Sequence, residues 1–224
     1  MLQKKQKGFT LVEIAIVLVI VGLLIGGVLK GQEMITNAKL KRIESDNAGI
    51  AAALFSYQDR YLQLPGDDSE ANSRFDAYED LGTAANGGGN GTIGDGTDWA
   101  LDIATTWAEN GQETLKVFGH LRAAGLVPGG AEDSTRPTNA YGGQIGVQDG
   151  SLDIAGHVTI FGKIEGPIAK ILEGRLDDKS PASGRIQSAE ASSTDLNTMD
   201  AGKDGADDEG GYSDGLRYDM AFRL

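Results

Sequence analysis

The chain has 224 residues and a net charge of −13, with 33 acidic against 20 basic side chains and no cysteine. Residues 1–42 hold seven Lys and Arg and two acids, so the remainder is strongly acidic, with 13 basic residues against 31. That balance excludes binding a nucleic-acid backbone by charge neutralisation, and the missing cysteines exclude disulfide-tied loops.

Phe9 to Leu29 is a run of 21 residues with a single charge, Glu13. As a helix it covers roughly 31 Å, the thickness of a bilayer hydrocarbon core. Lys4, Lys5 and Lys7 precede it and put the short N-terminus on the cytoplasmic side. A carboxylate near the end of a membrane helix is costly unless something pairs with it. No Lys or Arg lies inside the span, so the expected partner of Glu13 is a lipid headgroup, water or another chain. Gly22, Gly26 and Gly27 either loosen this helix or let another helix approach closely.

Lys7-Gly8-Phe9-Thr10-Leu11-Val12-Glu13 and the apolar run behind it resemble the processing site of type IV prepilins and type II secretion pseudopilins. The resemblance implies three things. A membrane-embedded prepilin peptidase cuts after Gly8. The same enzyme N-methylates the new first residue, Phe9. Glu13 meets the free amine of a neighbouring subunit during filament assembly. A secretory signal would instead place a small-x-small cleavage site after the apolar run, where Lys30-Gly31-Gln32 follows directly. An uncleaved anchor with Glu13 snorkelling at the interface is the plainer alternative, but it does not need Gly8, Phe9 and Glu13 together. Many pilins carry a proline where this chain has Lys30.

The span continues into a second helical pattern. Ile35, Ile43, Ile50, Leu54, Tyr57, Tyr61 and Leu64 form a one-sided stripe among polar residues. Pro65-Gly66 closes a helix running from about Phe9 to about Leu62, on the order of 80 Å long. Residues 65–98 read as loop. Helices are expected over about 98–109, with Trp99, Ile103 and Trp107 on one face, and over about 113–124, with Leu115, Phe118 and Leu121. Strands are expected at 140–147 and 151–161, the second with Leu152, Ile154, Val158 and Ile160 alternating. A helix over 166–176 turns Ile168, Ile171, Leu172 and Leu176 inward. A short strand at 185–188, an acidic loop at about 189–215 and a half-buried last strand over 216–224 complete the chain.

Further segments resemble one prepilin subgroup: Leu64-Pro-Gly-Asp, the Asn/Gly-rich loop after it, His120-Leu-Arg-Ala-Ala-Gly-Leu, and Leu176-Asp-Asp-Lys-Ser-Pro-Ala-Ser-Gly-Arg-Ile.

No catalytic constellation stands out. His120 and His157 are the only histidines and read as surface or half-buried residues without partners at metal or triad spacing. Asp67-Asp68, Asp177-Asp178 and Asp207-Asp208 read as solvated turn residues or caps. The glycine-rich loop 86–91 lacks the Gly-Lys-Ser/Thr of a phosphate loop. Asp200, Asp204, Asp207, Asp208, Glu209 and Asp214 supply six carboxylates, a candidate calcium loop although the spacing is not that of an EF-hand. It falls where the resemblance implies a calcium in major pseudopilins. Lys39, Lys41 and Arg42 read as a solvated helix face or as partners for acids of neighbouring subunits.

The expected fold is therefore α+β: a long N-terminal helix, membrane half plus amphipathic half, packed on an antiparallel β-sheet with extra short helices and Gly/Asp-rich loops. Residues 1–8 are a cleaved leader, 9–29 the membrane and polymerisation helix, 30–64 its amphipathic half and 65–224 a head domain. The expected function is that of a structural pilin or pseudopilin, not an enzyme. It requires no cofactor and leaves a structural calcium open. The expected partners are the prepilin peptidase/N-methyltransferase, other subunits and the inner membrane, with the head in the periplasm and no nucleic acid. An exported, membrane-anchored binding module that never polymerises is the alternative.

Overall fold

The computed structural model describes residues 9–94, 112–191 and 211–224. The expected helix at 98–109 lies outside them. One helix, α1, runs unbroken over Leu11–Tyr61, through Gly22, Gly26, Gly27 and Lys30. It starts two residues later than the apolar run because Thr10 caps it. It ends where Leu62 turns left-handed at φ 57, ahead of Pro65. By contacts the chain divides into two units, residues 1–41 and 42–224, and α1 contributes to both. Within the first unit, Leu11 to Leu29 are exposed. The apolar window of the helix has a mean hydropathy of 2.8 and none of it is buried. Within the second unit, Ile43, Ile50, Leu54 and Tyr57 are buried at helical spacing.

After α1 the chain makes a short helix α2 (Ala71–Arg74) and two 3₁₀ turns (Asp76–Tyr78 and Gly82–Ala85). Helix α3 covers Glu113–Ala123. The hairpin strands are β1 (Ile145–Ser151) and β2 (Ile154–Glu165), and α4 (Gly166–Leu176) follows. Strands β3 (Ile186–Glu190) and β4 (Arg217–Arg223) complete the fold. The four strands form one antiparallel sheet in the order β1-β2-β4-β3, and the fold is α+β as expected. Helix α3 touches β1, and α4 touches β2 and β4.

Several boundaries differ from the sequence reading. β1 begins at Ile145, not at 140, because Asn139 folds residues 139–143 into a turn. Its side-chain oxygen accepts the amides of Tyr141 and Gly143. Leu152 belongs to the hairpin turn at φ 55 rather than to the alternating strand. In α4 the buried face is Ile168, Ala169, Leu172 and Glu173, while Ile171 and Leu176 are exposed. β3 extends to Glu190, into the expected loop. β4 is not half-buried: Tyr218 to Phe222 are all buried. It lies inside the sheet between β2 and β3, and both of its faces are covered. Tyr218, Met220 and Phe222 point to one face. Ala221 joins Ile154, Val158, Ile160 and Ala189 in a small cluster on the other.

Candidate functional site

Thr10 and Glu13 form a reciprocal hydrogen-bonded box at the start of α1. Glu13 Oε2 accepts the Thr10 amide at 2.9 Å and the Thr10 hydroxyl at 2.8 Å. The Glu13 amide donates to Thr10 Oγ1 at 3.3 Å. This is a capping box, in which the N-cap hydroxyl and the carboxylate three residues on satisfy each other's orphan donors. It corrects the expectation that Glu13 must look outside the chain, since its first partner is its own Thr10. The signal was present as Thr-x-x-Glu ahead of an apolar run. The carboxylate also sits at the positive end of the helix macrodipole, where a negative charge is favoured. Phe9 lies before the cap and is 83% exposed. Gly8 lies outside the described residues.

A second constellation holds the loop after α1. Asp67 and Asp68 are buried, contrary to the expectation of solvated turn residues. Asp68 accepts the Tyr57 hydroxyl at 2.7 Å, Arg74 Nε at 2.9 Å and the Glu70 amide at 2.9 Å. Burial pushes the Asp68 carboxyl up, but Arg74, Tyr57 and the Glu70 amide together outweigh it and hold it below the usual carboxylate range. Asp67 accepts the amides of Asn90 and Gly91, and Glu113 accepts those of Gly88 and Gly94. The glycine-rich loop thus does turn its backbone N–H groups on anions, but the anions are the protein's own carboxylates. Those donors are not open to a phosphate.

His120 is fully buried, not half-buried. The Gly66 amide donates to its Nδ1 at 2.8 Å, and its Nε2 lies 2.8 Å from the Ala85 carbonyl oxygen. Those two partners require the neutral tautomer with the proton on Nε2. Gly66 reaches this position at φ 95, where an added Cβ would come within 2.6 Å of the Glu113 carbonyl oxygen. Burial lowers the His120 pKa to about 4. His157 is half-buried and faces Asp149 across the β1–β2 pair at 3.3 Å. Neither histidine approaches a nucleophile or a metal cluster among the described residues.

Of the six residues expected to form a calcium loop, Asp200, Asp204, Asp207, Asp208 and Glu209 lie outside the described residues. Asp214 is exposed. Among the described residues, the one carboxylate group placed at ligating distance lies elsewhere. Glu173, Asp177 and Asp178 each offer an oxygen within 4.8 Å of the others. In sequence, Asp177 and Asp178 read as turn residues or caps, and Glu173 carries no signal of its own.

Residues 3–29 match the family model for the prokaryotic N-terminal methylation motif. No curated protein and no solved structure matches the chain. The segment around Gly8, Phe9 and Glu13 and the exposed apolar helix behind it are the parts that this motif describes. The chain carries the prepilin-type N-terminal methylation motif, and that motif supports a type IV pilin-like or pseudopilin-like protein.

Proposed function

We propose that the chain is a structural subunit of a type IV pilus or a type II secretion pseudopilus. The prepilin peptidase cuts after Gly8 and methylates Phe9. The matured chain waits in the inner membrane with residues 65–224 in the periplasm. Subunits then polymerise through Phe9–Leu29. The observation that carries this reading is the exposed apolar helix with its one carboxylate at the N-terminal end. Such a surface needs lipid, and then the same helix of other subunits, to cover it.

Glu13 serves both stages. Inside one chain its Oε2 takes both Thr10 bonds, so Oε1 remains for the amine of an incoming Phe9. In a low-dielectric bundle that pairing offsets part of the cost of both charges and selects one axial offset between neighbours. Mass spectrometry of the membrane-extracted protein should find a chain beginning at N-methylated Phe9. Glu13→Ala should be inserted and processed normally yet enter filaments less than wild type at equal expression. A chain still starting at Met1 in cells with an active peptidase overturns the processing step. Equal incorporation of Glu13→Ala overturns the pairing, and processed chains that never form filaments favour the anchored module.

A further inference from the structure

We propose that Glu173, Asp177 and Asp178 bind a calcium ion where α4 meets the loop to β3. The three carboxylates converge within 4.8 Å at the C-terminal end of α4. That is the negative end of the helix macrodipole, the wrong end for acids. Among the described residues, none of the three has a Lys or Arg ion-pair partner.

A separate observation singles out Glu173. It is fully buried, and only the Tyr212 hydroxyl, 3.2 Å from Oε1, donates a side-chain hydrogen bond to it. Its Oε2 is buried with no hydrogen-bond partner. A carboxylate oxygen left in that state is expensive, and the negative charges beside it raise the cost. A divalent cation removes both penalties at once.

The two aspartates are already held in place. Asp177 Oδ2 accepts the amides of Arg185 and Ile186, the latter at 2.6 Å. Gly184 is needed at φ 86 because an added Cβ would lie 2.2 Å from that oxygen. Asp178 accepts the Ser180 amide at 2.9 Å and the Ser183 hydroxyl at 2.7 Å.

An all-oxygen donor set selects a hard cation over zinc or copper. Magnesium demands a strict octahedron and keeps several waters, whereas calcium accepts an irregular set of carboxylates from a helix end and a loop, so calcium is the ion proposed. The site's three ligands are other residues than the six acids of 200–214, although Tyr212 reaches Glu173, and the site does not depend on filament assembly.

The matured full-length protein in detergent micelles tests the proposal. Terbium is the probe, because Tyr212 is placed to sensitise its luminescence. Wild type should give saturable tyrosine-sensitised emission that calcium displaces and an equal concentration of magnesium does not, and calcium should raise its melting temperature. Glu173→Gln keeps the shape and the Tyr212 contact, so in chelator it should melt no lower than wild type. It should bind terbium at least about tenfold more weakly and lose the calcium response. Asp204→Ala/Asp207→Ala should keep both. A calcium response that survives Glu173→Gln overturns the site, as does one that Asp204→Ala/Asp207→Ala abolishes. A wild type indifferent to calcium overturns it too, and equal displacement by magnesium overturns the choice of ion.

Discussion

His120 is held neutral by two backbone partners in a site with no room for a second proton on the ring. In the unfolded chain the ring takes a proton near pH 6.5, and in the folded chain only near pH 4. The unfolded state therefore binds more protons between those values. This contribution to stability is complete above about pH 6.5, falls as pH drops, and levels off below about 4. Asp68, Lys116 and Arg74 act on the ring electrostatically and the rings of Tyr57 and Tyr78 pack near it, and all five groups remain in a His120→Gln variant. The difference in urea-unfolding free energy between the two should shrink by roughly 3 kcal/mol from pH 7 to pH 4. A constant difference would mean that folding leaves the ring's pKa unshifted. Glu173 behaves in the opposite sense. Burial pushes its carboxyl up to about 8, the charge of Asp177 adds to the push, and the Tyr212 hydroxyl offsets part of it. The charge of Asp178 adds a little more, and the dipole of the Lys179 amide takes a little back.

At the scale of elements, the start of α1 depends on one hydroxyl. Thr10→Ala removes two of the three bonds of the capping box and should cost the first turn about 1 kcal/mol. Amide exchange at Leu11 to Ile14 in micelles should then quicken roughly fivefold, while Thr10→Ser stays near wild type. Unchanged exchange in Thr10→Ala would show that the surrounding medium, not the box, satisfies these amides. The long helix and the 166–176 helix were legible in the sequence because their apolar residues repeat at helical spacing over many turns. β4 was legible as a strand but not as a buried one. Alternation reports only one face, and the cover over Asp219 and Ala221 comes from the strand's place inside the sheet. Asp67 and Asp68 read as solvated because two adjacent acids before a serine look like a turn. Their burial depends on Tyr57, Arg74 and the amides of residues 90 and 91, which only the fold brings near. Glu173 was hidden for the same reason, as a charged residue between Leu172 and Gly174 near a helix end. The N-terminal methylation motif was legible because its residues stand at fixed local spacing, while the box between Thr10 and Glu13 went unread.

At the scale of the molecule, the charge is lopsided. Residues 43–224 carry the whole acidic excess, while the apolar helix carries one acid. In the proposed filament, subunits stacked through Phe9–Leu29 would bring like-charged domains together, and salt would screen that repulsion. Between 0.01 and 0.15 M ionic strength the Debye length falls from about 30 to about 8 Å. The apolar seam is shielded from ions and keeps its strength. Assembly of matured chains, followed by light scattering, should therefore strengthen over that range. Weaker assembly at higher salt would mean that exposed opposite charges, such as Lys39, Lys41 and Arg42 against neighbouring acids, dominate instead.

The carboxylate clamps of Asp67, Asp68 and Glu113 also decide which chemical insults the domain withstands. Loops held by sulfur come apart when electrons are supplied, and their correct pairing has to be found by an oxidant during export. Here the ties form as the chain folds, and no thiol has to be oxidised or reshuffled. A reducing medium leaves them whole. What loosens the Asp68 clamp is a proton on its carboxyl, which is held below the usual range, so acidity there takes the place that redox poise holds in a cystine-stapled domain.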